Sequence, residues 1–374
     1  MSRDIFHIDA SFEKSFATET LTLQDLEAVR LTLQGSSVID WNKLNFQSLA
    51  DVDQFLLLHL LDLNDASDLE RLHFVFNQAV TYLQEDLDIR FPEELRSPAD
   101  VREVFLAAST YTGRFRRRQT LACMLLKLMH VINHMEAADL KFQIPVPEAK
   151  LLDRAEKRII EHAEHLRESG YPLLAFYGSR KTRSSTITKL LAKRETIAAT
   201  IFDKLRFRLV VENANEILPL IAHLSRTLFP FNYVIPGQSH NNILHFKKAL
   251  KENPHFSELS PNLQRLRPRA SEWLPEKNPF SGSNYRMINF IVDFPVRVDD
   301  LVDDFQANQS YVLGRTVFVL VEFQVIDAKT AQDNEKGDNA HHLYKKRQRK
   351  IVESRLLRGS RSRLKDFGED PRDR

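Results

Sequence analysis

Apolar positions in the first 145 residues recur at helical spacing. Leu21, Leu26, Val29 and Leu33 share one face of a helix predicted over 21–33, which stops at Gly35, a residue that favours helix ends. The apolar stretch 49–63 predicts a second helix, with Phe55 to Leu58 and Leu60 to Leu61 buried, and a third over 68–86 ends ahead of Pro92. Ser97-Pro98-Ala99-Asp100 reads as an N-cap followed by proline at the first helical position. It predicts a helical region running to about residue 138, interrupted near Gly113.

Beyond Pro145 and Pro147 the pattern changes. Leu151, Leu152, Ala155, Ile159, Ala163 and Leu166 form the apolar stripe of a helix over 150–168. After Gly170, strands and helices alternate. A strand over 172–177 is predicted to turn at Gly178 into a helix over 184–194; a strand over 205–211 and a helix over 214–227 follow. An irregular Pro- and Asn-rich stretch, 230–283, separates these from strands over 286–294 and 315–326, and a basic helix starts near 340. The pattern predicts an α+β chain: an all-helical domain over 1–146, a mixed-sheet domain over 147–350 and a basic tail over 351–374.

Charge adds a polarity along the chain. Residues 1–100 hold 7 Lys/Arg against 19 Asp/Glu, a balance of −12, whereas 341–374 hold 12 against 5, a balance of +7. The basic tail suits an anionic partner and a solvated helix about equally; with Arg265, Arg267 and Arg269 in the irregular stretch, RNA is one such partner. Cys123, the only cysteine, excludes an intramolecular disulfide and reads as a core residue in the run 121–129. The N-terminal segment, with Asp4, Asp9 and Glu13, lacks the basic-then-apolar form of a secretory signal, and no apolar run is long enough to span a bilayer. A cytoplasmic protein without a membrane partner is the expectation. His130 with His134, and His162 with His165, read as packed or surface pairs, because no further metal ligand follows at a suitable spacing.

Three clusters can carry chemistry. Gly178 to Ser185, followed by Lys189 and Lys193, sets a glycine before a helix start on which Ser185, Lys189 and Lys193 share a face; phosphate binding and a solvated basic helix explain it nearly equally. Glycine spacing rules out a Walker loop. Asp203 precedes a strand bearing Arg206 and Arg208, and Glu322 with Gln324 sits on one face of an otherwise apolar strand. A carboxylate on an inner strand needs a partner. Two acids on neighbouring strands suit a divalent metal against a triphosphate, and salt bridges to the nearby arginines suit them equally.

In their order these clusters resemble the synthetase domain of the RelA/SpoT family, which is nucleotidyltransferase-like. That family shows Gly-Arg-Pro-Lys-His, then Ser and Lys; here stand Gly178, Lys181, Ser185, Lys189 and Lys193. Its Phe-Asp leading to an Arg in a strand is matched by Phe202, Asp203 and Arg208. Asn-Gly-Tyr-Gln-Ser-Ile-His corresponds to 283–289, with Tyr285 and Ile288 kept, and Val-Glu-Ile-Gln-Ile-Arg to 321–326. Its closing Glu-Leu-Gly-Val-Ala-Ala-His run resembles 335–341, including His341. The likeness spans about 170–347.

The resemblance implies an Mg²⁺-dependent pyrophosphokinase that moves pyrophosphate from ATP to the 3′-hydroxyl of GDP or GTP. Gly178, Arg180, Lys181, Ser185, Lys189 and Arg208 would hold ATP phosphates. Asp203 and Glu322 would hold Mg²⁺, with Glu322 as base. Tyr285 would stack on the acceptor, with Asn289, Gln324 and His341 beside it. Ser179, Asn289 and Ile326 depart from the family's Arg, His and Arg. They leave two alternatives: the same chemistry on an RNA end or adenosine nucleotide, or a nucleotide- or RNA-binding sensor without turnover. The family's hydrolase His-Asp dipeptide is absent from the chain, so the helical half is not expected to be a hydrolase.

Overall fold

The structure, a computed structural model, describes residues 3–7, 22–34, 46–109, 116–192, 204–244, 285–301, 314–336 and 341–356. A short strand β1 (Arg3–His7) comes first, then helices α1 (Leu23–Gln34), α2 (Leu49–Leu58), α3 (Ala66–Glu85), α4 (Glu93–Arg96), α5 (Arg102–Ser109), α6 (Arg116–Gln143) and α7 (Glu148–Glu168). The second half carries β2 (Leu173–Arg180), α8 (Arg183–Ala192), β3 (Leu205–Val211), α9 (Ile217–Thr227), β4 (His240–Asn241), β5 (Ile288–Arg297), β6 (Thr316–Asp327), α10 (Ala328–Asn334) and α11 (His341–Leu356). The chain is therefore α+β: among the described residues a six-stranded sheet has one strand before the helices and five after α7, in the order β1-β2-β3-β6-β5-β4. Among the described strands only the central pair, β3 and β6, is parallel.

Several sequence expectations are corrected. Gly178 does not turn the chain: it lies inside β2, paired with Phe207 on one side and Arg3 on the other, so the strand runs on to Arg180. Ser97 and Pro98 do not open a helix. The chain stays irregular until α5, where the Asp100 carboxylate accepts the Arg102 backbone N–H at 2.9 Å. The second helix stops at Leu58, because Leu60 takes a positive φ of 62°. Strand β1 is not apparent in the sequence, because it has only 5 residues and pairs as far away as Arg3 with Gly178.

Period-two alternation splits the sheet into two faces. On one, Phe176, Phe207, Phe323 and Phe290 come from four adjacent strands and pack ring against ring, with centroids 5.2, 6.2 and 5.7 Å apart. All four are buried, and α7 (Leu151, Ala155, Ile159) and α9 (Leu218, Ile221, Leu224) cover them. Burial of each ring stabilises the fold by roughly 1.5–3 kcal/mol. The sheet is thus a stiff platform with one face committed to the core.

A second cluster fills the helical half, built from Phe55, Val75, Phe76, Val104, Phe105, Leu125 and their neighbours. The two cores meet along α6, whose last turns give Ala137 and Leu140 to the sheet cluster. At this seam His59, His130 and His134 gather around buried Tyr233, and His134 stacks on Phe318 at 4.3 Å. Asn232 Nδ2 lies 3.0 Å from His59 Nε2 and 3.3 Å from His130 Nδ1. The histidine pair of α6 is therefore packed. Cys123 is partly buried against the helical cluster.

Candidate functional site

The other face of the sheet is apolar at its margins and polar in the middle. Parallel pairing sets Arg206 opposite Glu322 and Arg208 opposite Gln324, and antiparallel pairing sets Asn289 opposite Gln324. Phe207 lies between Arg206 and Arg208, and Phe323 between Glu322 and Gln324, so these rings take the opposite face. Five polar side chains from three strands therefore project from one rigid surface.

Glu322 is the floor of this row, with its side chain 5 % exposed; Arg206, at 34 %, is the rim. Arg206 Nε donates to Glu322 Oε2 at 2.9 Å, and the terminal Nη2 reaches the same oxygen at 2.9 Å. The other oxygen, Oε1, accepts from Gln324 Nε2 at 2.8 Å and from Asn289 Nδ2 at 3.2 Å. A carboxylate offers about four acceptor positions, and here four donors fill them. Glu322 thus makes a salt bridge to Arg206, one of the two arrangements open to it from sequence.

Arg208 organises the next rung. Its Nε donates to Gln324 Oε1 at 3.1 Å and its Nη2 to the Tyr285 hydroxyl at 3.1 Å. Two asparagines hold the Tyr285 segment. Asn242 Nδ2 donates to the Tyr285 carbonyl at 2.8 Å, and Asn334 clamps the Arg286 backbone through its N–H (3.0 Å) and carbonyl (2.6 Å). Asn289 Oδ1 is buried and has no hydrogen-bond partner among the described residues. Beside it in register is His240, whose imidazole is pushed below its ordinary pKa by burial.

The lysine-bearing turn adjoins this row. Ser179 pairs with Arg206, and the Lys181 backbone N–H donates to the Lys204 carbonyl at 2.9 Å, so α8 starts beside the Arg206 end of β3. Thr182 caps that start: its hydroxyl accepts the Ser185 N–H at 3.2 Å and donates to the Ser185 hydroxyl at 3.0 Å. Lys189 lies one turn on, and α11 packs against the same helix, with Arg355 donating to the Leu191 carbonyl at 2.6 Å. Arg180 is a correction: it faces α7, where it pairs with Asp153 at 2.7 Å and with Glu156, so it does not join the phosphate side. Gly178, inside β2, offers no loop to a phosphate.

Asp203, Lys193 and the 265–269 arginines lie outside the described residues, as does the side chain of His341, the first residue of α11. Among the described residues no group of three His, Cys, Asp or Glu side chains suits a metal ion. The donor set around Glu322 is that of a neutralised carboxylate, and the described residues do not fit Mg²⁺ there. No helix among them is long and apolar enough to cross a membrane. From sequence Arg206 stood only as an arginine on the strand after Asp203, with no role of its own. Its signal was the Arg-x-Arg spacing of 206 and 208, which matches the Glu-x-Gln spacing of 322 and 324.

No family model matches the chain, and no curated protein matches it in sequence. Solved structures similar to it include small alarmone synthetase 1 from Bacillus subtilis bound to its product pppGpp, at 14% identity and a TM-score of 0.32 over 58% of this chain and 92% of that one. Small alarmone synthetase 2 from the same organism is similar at 12% identity and a TM-score of 0.30 over 56% and 90%. A GTP pyrophosphokinase family protein from Streptococcus pneumoniae is similar at 12% identity and a TM-score of 0.28 over 56% and 87%.

Proposed function

We propose that the polar row on the sheet binds a nucleotide polyphosphate, and that the chain is an ATP-dependent pyrophosphokinase with GDP or GTP as acceptor. The observation that carries this reading is the set Arg206, Arg208, Gln324, Asn289 and Tyr285, held on one rigid face beside the start of α8. Guanidinium groups suit phosphate oxygens. Lys181, Ser185 and Lys189 add donors and positive charge at a helix start. Tyr285, held at its hydroxyl and on both sides of its backbone, presents a ring for an acceptor base, and the buried Asn289 Oδ1 accepts from a base amino group or ribose hydroxyl. Positioning and electrostatics supply most of the catalysis in such phosphoryl chemistry.

The saturated Glu322 favours a second reading, a nucleotide-binding sensor without turnover. RNA contact through the basic tail, a division of the chain near residue 146 and a cytoplasmic location remain part of the proposal. One assay separates the readings. Purified protein is incubated with labelled ATP and Mg²⁺, and in turn with GDP, GTP, AMP or bulk tRNA. Label on GDP or GTP with AMP release supports the first reading, and label on tRNA or AMP redirects it to another acceptor. Nucleotide binding without product supports the sensor, and neither binding nor product refutes both.

A further inference from the structure

Among the described residues, the sheet's polar row contains one carboxylate, and every acceptor position on it is taken. We infer that Arg206 occupies, at Glu322, the place of a divalent ion, so that the row binds polyphosphate with a built-in guanidinium and holds no metal at that carboxylate. The inference rests on reading the row as the nucleotide site.

The arrangement comes from the backbone. Arg206 and Glu322 are directly opposed on the two parallel central strands, so the pair is set by strand register. Gln324 is fixed in turn by Arg208, and its amide orientation follows: the oxygen faces Arg208 Nε, leaving the NH₂ for Glu322 Oε1. Asn289 closes the remaining side from β5. For a divalent ion to reach Glu322 Oε2, the guanidinium must leave. For it to reach Oε1, two amide N–H groups must turn away, and the ion would then sit beside a fixed positive charge. Each of these costs binding, whereas a polyphosphate approaching the 34 % exposed rim meets the guanidinium from outside and need displace nothing on Glu322. Arginine suits the role because its planar, permanently charged group serves a carboxylate on one edge and phosphate oxygens on another. The cost is rigidity: Glu322, held by four donors, is a support for Arg206 and no longer a free base.

The test is Mn²⁺ uptake by the full chain, followed through the free-ion electron paramagnetic resonance signal, with circular dichroism as a folding check. The wild type should take up no more Mn²⁺ than Glu322→Gln. Arg206→Ala, and Arg206→Gln in case the smaller side chain unfolds the sheet, should gain about tenfold or more in Mn²⁺ affinity, and the double variant with Glu322→Gln should lose that gain. A fluorescent GDP analogue should bind the wild type about equally in EDTA and in Mg²⁺. Wild-type Mn²⁺ binding that Glu322→Gln abolishes overturns the inference, as does an Arg206 variant that folds yet gains none. A strict divalent requirement for the GDP analogue overturns it even if both Arg206 variants misfold. Failure of the pyrophosphokinase reading appears separately, as absence of labelled product, and leaves the Mn²⁺ result intact.

Discussion

Acidification from pH 7 to pH 5 should weaken the fold through the histidines packed at the seam between helices and sheet. Burial pushes His59 and His134 down to about 4 and His130 to about 2. Unfolded, each returns to about 6.5 and takes up a proton that the native state refuses. Their contribution is therefore complete above the unfolded pKa and is lost as pH falls below about 6.5. Between pH 7 and 5 each gives up about 2 kcal/mol by linkage. Asp293 works against this. Its carboxyl is pushed up to about 6 by burial, so protonation favours the native state by about 1 kcal/mol over the same range. His134 Nε2 and Asp293 Oδ2 stand 3.7 Å apart, too far for a hydrogen bond, and Lys141 is the charge that moderates Asp293. The net loss at the seam is roughly 4–5 kcal/mol, and His162, also pushed down to about 4 by burial, adds about 2 kcal/mol, together a large share of a typical domain's stability. The 23 % exposure of the His134 side chain makes this an upper figure. Urea unfolding at the two pH values measures it directly. His134→Gln should remove about 2 kcal/mol of the pH dependence. The reasoning is refuted if the wild type loses under about 1 kcal/mol, or if His134→Gln retains the full dependence.

Other perturbations have equally local causes. Gly314 has φ +74°, and a Cβ there would lie 2.8 Å from Arg71 Nε, so Gly314→Ala should lower stability by about 2–3 kcal/mol in urea unfolding. Arg71 has little room to yield, being held at 2.5 Å by Glu136. Arg297 reaches from β5 to the Leu60 carbonyl and the buried Asp68, both at 2.7 Å, so Arg297→Ala should cost about 3 kcal/mol, read from the same midpoint shift. Under the proposed function, Arg208→Ala should weaken binding of a fluorescent GDP analogue about tenfold, by removing a charge and freeing the Tyr285 ring; an unchanged affinity would take the row out of nucleotide recognition.

The fold was legible wherever burial imposes a period. Helix α7 and strands β3 and β6 lie within a residue or two of the sequence reading, because their apolar stripes face a core. Where local chemistry competed with distant pairing, the reading failed. Gly178 looks like a turn residue, but a neighbouring strand on each side keeps it extended, and Ser97-Pro98 has the grammar of a helix start without the packing to support one. The site was half legible. Arg208, Gln324, Asn289 and Tyr285 do gather with Glu322, whereas Arg180 leaves for α7, since alternation along β2 assigns it to the face opposite Ser179.

Register is what sequence could not supply. Arg206, Arg208, Glu322 and Gln324 were all visible as alternating polar positions on two strands, but which one meets which depends on a pairing set across more than 100 residues. A slip of one residue would send Phe207 or Phe323 to the polar face and Arg206 or Glu322 into the phenylalanine row, so the core admits a single alignment. Within it, the least costly partner for a buried carboxylate is the cation already opposite it. The packing of one face thus determines the electrostatics of the other. The stiffness of the phenylalanine platform is also why the Arg206–Glu322 contact should persist when a ligand arrives, instead of opening to admit an ion.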